Sequence, residues 1–204
     1  MSDILHQIDG VAEFFDRIVA DHGYSPAGCD YASWATQQQR FDVMIGVDDF
    51  KARTVLDIGC GFGDFVDYLN NRDLACAYRG LDISQRMLDT ARERHPGIDF
   101  ARANILLDPI PSADIVIANG IFYLLGADGW KHMQHLIVRL FELAERSLAF
   151  SSLSTAATQR STGEFYADPA STFAFCRTLT PWVTLRHDYH PGDFSMYMYR
   201  ERHR

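Results

Sequence analysis

VLDIGCGFGDF, residues 55–65, sets glycines at alternate positions, Gly59, Gly61 and Gly63, directly behind an apolar run that carries one carboxylate, Asp57. Thr54–Ile58 reads as a buried strand. Phe62–Asn71 reads as a helix, with Phe65, Val66 and Leu69 at helical spacing. A glycine-rich turn between strand and helix permits positive φ and lets a ligand approach bare backbone with no Cβ in the way. In an open parallel sheet, ligands bind where the strands' carboxyl ends meet helix N-termini, whose free N–H groups aim at the same spot. A dinucleotide site wants G-x-G-x-x-G. Here the spacing is G-x-G-x-G, and Asp64 stands where that third glycine would be. Asp57, two residues before the first glycine, favours a ligand bearing an ammonium or sulfonium over one bearing pyrophosphate.

Outward from this turn the chain alternates strand and helix. Ala75–Asp82 is a predicted strand, Ser84–His95 a helix stopped by Pro96-Gly97, Ile98–Arg102 a short strand and Ala113–Ala118 a continuous apolar strand. Asp128 is placed to cap a helix running to about Arg146, followed by a strand over Leu148–Leu153. Asp168-Pro169 opens a helix to about Leu179. Val183–Tyr189 and Phe194–Arg200 form a predicted hairpin around His190-Pro191-Gly192-Asp193. Uninterrupted apolar strands separated by helices mean an α/β fold, a doubly wound and mostly parallel sheet covered on both faces. Before residue 50 the pattern is helical: Ile4, Ile8, Val11, Phe15, Ile18 and Val19 mark one amphipathic helix ending near His22-Gly23. A second helix is expected from about Thr36 to Val47.

The chain has 204 residues, 47% of them hydrophobic, which suits one domain with a full core. Its net charge of −8 disfavours nucleic acid, since such binders show a basic face. The C-terminal run Arg200-Glu201-Arg202-His203-Arg204 reads as a solvated tail. Cys29, Cys60, Cys76 and Cys176 show no CxxC spacing, so neither zinc nor a dithiol redox site is indicated. The N-terminus, with Asp3, lacks a signal pattern, and no apolar run reaches the roughly 18 residues a membrane span needs. A cytoplasmic protein, monomeric or homodimeric, that meets no membrane is expected.

Three further landmarks close the successive strands. Asp82, 25 residues after Asp57, can accept hydrogen bonds from both hydroxyls of a ribose, and Ile83 beside it can cover a base. Asn104-Ile105 follows the third strand and Asn119-Gly120 the fourth, leading into Ile121-Phe122-Tyr123. VLDIGCGFGDF, GLDIS and ADIVIANGIFYLL in this order resemble a class I S-adenosylmethionine-dependent methyltransferase of the small type, over about residues 53–200. The resemblance implies a seven-stranded Rossmann-like sheet with a C-terminal antiparallel hairpin, an N-terminal helical cap over residues 1–50 and a cofactor-binding core over 51–204. It implies S-adenosyl-L-methionine at Asp57, Gly59, Cys60 and Gly61, its ribose on Asp82, its adenine beside Ile83, Asn104 and Ile105, and Asn119 at the same edge. The third-strand position is often Asp in this family and is Asn104 here; an amide oxygen can still meet the adenine amino group. Tyr31, Trp34 and Thr36–Phe41 resemble the family's helical cap, in which Arg40 would fork onto the cofactor's carboxylate; the alternative is a surface arginine.

The implied activity is methyl transfer to an O or N atom of a small-molecule acceptor, a metabolite or sugar, by in-line displacement. Phe122, Tyr123, Trp34, Tyr31, Tyr166 and the His187–His190 cluster are candidates for the acceptor side. Tyr123, His187 and His190 are the catalytic candidates; packing under the cap and exposure at a strand end are the competing roles. His132 and His135 share a helix face without a third metal ligand. The polar linker Ser154–Ala167 is a candidate lid. A tRNA or protein methyltransferase, a cofactor-binding module without catalysis and a nicotinamide oxidoreductase are the rival classes.

Overall fold

The computed structural model describes residues 2–203; Arg204, at the end of the basic tail, lies outside them, as does the side chain of Asp3. Seven strands form one sheet: β1 (Thr54–Ile58), β2 (Ala77–Asp82), β3 (Asp99–Arg102), β4 (Ala113–Ala118), β5 (Ala144–Leu153), β6 (Val183–Arg186) and β7 (Asp193–Tyr199), in the order β3-β2-β1-β4-β5-β7-β6. The first five run parallel, while β7 is antiparallel to both β5 and β6. This is the doubly wound sheet with a terminal hairpin that the apolar strand pattern implied. Around it lie α1 (Ser2–His22), α2 (Trp34–Met44), α3 (Asp64–Asn70), α4 (Gln85–Arg94), α5 (Gly129–Leu143) and α6 (Pro169–Leu179).

Strand side chains alternate between the two faces. Leu56 and Ile58 of β1, Val116 and Ala118 of β4, and Phe194, Met196 and Met198 of β7 pack with α5 and α6. Val55, Ile115, Ile117, Tyr197 and Tyr199 point the other way, against α2, α3 and α4. Being buried on both faces is why these strands read as unbroken apolar runs.

Several boundaries differ from the sequence reading. Helix α5 ends at Leu143 and β5 starts at once with Ala144, not at Leu148. The stop comes from Arg200: its Nη2 donates to the Phe141 carbonyl at 2.6 Å, its Nε to the Ala144 carbonyl at 2.8 Å, and its guanidinium lies 4.1 Å over the Phe141 ring. A cation thus occupies the negative end of the helix, and Arg200 belongs to the fold rather than to a solvated tail. Of the hairpin strands, β6 is shorter than expected, ending at Arg186, where Asp188 pairs with its guanidinium at 2.8 Å, and β7 is shifted by one residue, so that Asp193 opens it instead of closing the turn. Asp168 caps α6, accepting from the Ser171 N–H at 2.7 Å, as the Asp-Pro pair implied. Asp128 stands at the N-cap of α5 without a side-chain hydrogen bond.

Helix α1 lies across the carboxyl ends of the strands. Ile4 joins the core on the α5 side, Gln7 Nε2 donates to the Leu124 carbonyl at 2.6 Å, and Asp16 Oδ1 accepts from Ser84 Oγ at 2.5 Å. The core itself is dense at the β4–β5 junction, where fully buried Phe122 and Phe150 meet edge to face with centroids 5.3 Å apart. Phe150→Ala should cost about 3–5 kcal/mol in chemical denaturation. Leu185→Ala, at a side chain 36% exposed on the edge strand, should stay within about 0.5 kcal/mol of the parent.

Candidate functional site

The turn after β1 is tied to β2 before it reaches α3. The N–H groups of Gly59 and Cys60 both donate to the Leu81 carbonyl, at 2.8 and 3.1 Å. The Gly61 N–H donates to Asp82 Oδ2 at 2.9 Å, and the Ser84 N–H to Asp82 Oδ1 at 2.9 Å. Each oxygen of Asp82 therefore accepts a backbone N–H and keeps acceptor capacity for a ligand. Burial pushes the Asp82 carboxyl above its ordinary range, opposed by the N–H donors of Ser84, Gly61 and Ile83. Gly59 has φ +76°, and a Cβ there would come within 2.5 Å of Ile121 Cγ2. Only a bare backbone fits, and what it leaves open is the floor of a cavity.

That cavity, about 270 Å³, runs along the carboxyl edge of the sheet under α1. All ten residues expected at the cofactor line it: Arg40, Asp57, Gly59, Cys60, Gly61, Asp82, Ile83, Asn104, Ile105 and Asn119. Asp57 is buried and accepts from Tyr78 Oη at 2.6 Å. Desolvation raises its carboxyl to about 7, the tyrosine hydrogen bond opposes this, and the Asp82 charge adds to it. Asn104 is oriented differently from expectation. Its Oδ1 accepts from the Leu106 N–H at 3.0 Å, an Asx turn, so the side-chain NH₂ is the group left for a base edge. Arg40 is no free surface arginine: it pairs with buried Asp193, and its guanidinium lies 5.5 Å from the Tyr31 ring centroid.

Toward β4 and β5 the lining becomes a polar relay. Asn119 Nδ2 donates to Tyr31 Oη at 2.8 Å, Ser151 Oγ donates to Asn119 Oδ1 at 2.7 Å, and the Gly120 N–H donates to Ser151 Oγ at 3.0 Å. Tyr123 lines the cavity and donates to Asp30 Oδ2 at 2.8 Å. Burial, then the Asp30 charge, push its phenol far above the ordinary range, so Tyr123 stays protonated at neutral pH. His187 and His190 are not in the lining. The His187 ring packs 6.4 Å from Phe194, and His190 Nδ1 sits 3.5 Å from Asp193, one residue behind the wall. Of the other acceptor candidates, Phe122 and Tyr31 line the cavity, while Trp34 packs at a tilt on Tyr24, centroids 5.3 Å apart, outside it and Tyr166 does not reach it. His132 Nδ1 meets the Leu125 carbonyl and His135 Nδ1 the Lys131 carbonyl. The linker after β5 is pinned: the Phe165 N–H donates to the Tyr123 carbonyl at 2.7 Å, and Glu164 joins the cavity wall.

The sequence reading missed Asp64, Gln37, Cys29 and Asp193. Asp64 opens α3, buried, with Oδ1 accepting from Tyr24 Oη at 3.0 Å and Arg94 Nη1 at 2.6 Å, and Oδ2 from Gln37 Nε2 at 3.0 Å. A carboxylate in a helix's first turn is favoured by the positive end of the dipole, and here it clamps the N-terminal segment to the sheet. Its position in place of a third glycine was the available signal. Asp193 was assigned to a turn, and only the register Leu153↔Asp193 puts it at the cavity.

Residues 55–142 match the family model described as a methyltransferase domain. The chain is 29% identical over 150 residues, 70% of its length and 90% of the relative's, to a protein of Mycobacterium tuberculosis named as a candidate methyltransferase. It is 42% identical over 94 residues, 46% of its length, to a trans-aconitate 2-methyltransferase of Rhodopseudomonas palustris, and that match spans only 36% of the relative. The fold superposes on magnesium protoporphyrin IX methyltransferase of Synechocystis PCC 6803 with a TM-score of 0.69 at 16% identity, covering 94% of this chain and 98% of that one. Residues 55–142 are thus similar to a methyltransferase domain, and the structural match shows that the whole chain shares the fold of such enzymes.

Two measurements probe the site. Asp82→Ala should weaken S-adenosylhomocysteine by about 1–3 kcal/mol in calorimetry, roughly 5- to 150-fold. Asp57, ordinarily near 3.8, holds its proton to about 7 in the folded ligand-free protein, whereas the unfolded chain has released its own. Stability therefore falls as pH rises from about 4 to about 7. Asp57→Asn removes that loss, so its melting temperature should gain on the parent's progressively between pH 5 and pH 8.

Proposed function

We propose that this chain methylates an O or N atom of a small-molecule acceptor held between the N-terminal helices and the carboxyl ends of β4 and β5. The observation that carries this reading is the continuity of the cavity, which joins the buried carboxylate of Asp82 to Tyr31, Asn119, Ser151 and Tyr123 without leaving the cover of α1. The residues fit the cofactor: a turn that a Cβ at Gly59 would block, and a buried carboxylate with spare acceptor capacity on both oxygens. Asp82 would take the ribose hydroxyls, Ile83 and Ile105 the base faces, Asn104 the base edge, and Asp57 the cationic end. S-adenosylmethionine, when bound, supplies a methyl group on a cationic sulfur, a leaving group that needs no protonation.

The chain's own task is then to orient the acceptor and keep water out, since alignment can supply most of the rate. Tyr123, protonated throughout the neutral range with its one O–H donated to Asp30, would offer the acceptor a lone pair to bond to and not serve as a base. His190 lies behind Asp193, its Nδ1 3.5 Å from that carboxylate, and His187 packs on Phe194. The relay from Gly120 through Ser151 and Asn119 to Tyr31 holds the wall rigid. Relatives named trans-aconitate 2-methyltransferase support a small acceptor, and the net charge of −8 supports the same over tRNA. Among the described residues no helix is long and apolar enough to cross a membrane.

The test is formation of S-adenosylhomocysteine when S-adenosylmethionine is supplied with fractionated small metabolites; turnover confined to macromolecular fractions would refute the reading. With an acceptor in hand, Tyr123→Phe should lower kcat/KM about 3- to 10-fold, the loss of one hydrogen bond of about 1 kcal/mol, and leave S-adenosylhomocysteine affinity unchanged.

A further inference from the structure

Asp193 is 96% buried at the start of β7, its side chain only 4% exposed, and it faces the cavity. One oxygen, Oδ2, is held by Arg40. The other, Oδ1, has no hydrogen-bond partner in the protein. A buried carboxylate oxygen without a donor is costly, and Asp193 lines the space assigned to the acceptor. The cavity walls are also lopsided in charge. Around the ends of β4, β5 and β7 stand Asp30, Glu164 and Asp193, and among the described residues the one cation lining the cavity is Arg40, already engaged by Asp193. Ile8, Val11, Phe15 and Leu124 make the remainder of that wall apolar.

We infer that the acceptor is a small protonated amine with an apolar body, its ammonium donating to Asp193 Oδ1 and its hydrocarbon part lying against α1. A polycarboxylate would meet like charge from three sides with no free guanidinium to receive it. The inference rests on the reading of this cavity as the site of methyl transfer, and it sets the chain apart from its trans-aconitate relatives in the one property that their name specifies.

The test separates the two levels. S-adenosylhomocysteine is titrated first by calorimetry; then the saturated protein is titrated with 2-phenylethylamine, with 3-phenylpropionate, which matches it in shape and opposes it in charge, and with trans-aconitate. The amine should bind at least tenfold more tightly than either acid. Asp193→Asn should abolish that preference while S-adenosylhomocysteine affinity stays within about twofold. Should Asp193→Asn fail to fold, Glu164→Gln, at a half-buried position, should weaken the amine about threefold and leave the nucleoside unaffected. Normal nucleoside binding with acids bound as tightly as the amine, with no amine binding at all, or with an amine preference indifferent to the folded variants, overturns the inference alone. Failure of the nucleoside to bind overturns it together with the methyl-transfer reading.

Discussion

The carboxylate of Asp82 joins the two strands on which the site is built. It takes the Gly61 N–H from the turn after β1 and the Ser84 N–H from the head of α4, so one side chain sets the spacing of both helix N-termini over the sheet edge. An ionised group buried to this depth is expensive to desolvate unless hydrogen-bonded, and its donors come from turns whose shapes depend on it. The glycine turn follows: Gly59 and Gly61 hold positive φ because the strand must reverse within a few residues to bring Gly61 N–H over Asp82. Asp16 of α1, bonded to Ser84 Oγ, extends the same network to the N-terminal helix.

How much of this was legible in the chain depended on range. Strands β1 and β4 were readable to the residue because both faces are buried and the apolar run has sharp ends. The sheet side of the cavity was legible because Asp57, Gly59, Cys60, Gly61, Asp82, Ile83, Asn104, Ile105 and Asn119 sit at or within a few positions of strand ends, where local pattern and location in the sheet coincide. The α5–β5 joint was not: Leu143-Ala144-Glu145-Arg146 contains no glycine or proline, and the group that ends the helix, Arg200, lies 56 residues from the Ala144 carbonyl it binds. Asp193 looked like part of a His-Pro-Gly-Asp turn, since nothing near it in the chain reveals that Leu153 is its register partner. The histidines drew attention through their chemistry alone, and the pairing of β7 against β5 turned Asp193, not them, to the cavity.

Asp64 does for the N-terminal segment what Asp82 does for the sheet. Tyr24 and Gln37 both donate to it, Arg94 of α4 completes its shell, and the Arg94 guanidinium lies 3.9 Å over the Tyr24 ring. Because these contacts gather on the first turn of α3, the loop between α1 and α2 is fastened beside the glycine turn through Tyr24, and again beyond β4 through Asp30 and Tyr31. From there Cys29, Asp30 and Tyr31 reach the cavity.

This arrangement divides labour along the chain. The region that matches a methyltransferase domain begins at residue 55, and the glycine turn, Asp82 and Asn104 lie inside it. Gln7, Ile8, Val11, Phe15, Asp30, Tyr31 and Arg40, which shape the far end of the cavity, all precede it. Substitutions that accumulate before residue 50 can therefore reshape the far end of the cavity while the glycine turn and Asp82 stay as they are. The N-terminal helices are the exchangeable part of this fold, and divergence among proteins similar to it should concentrate there.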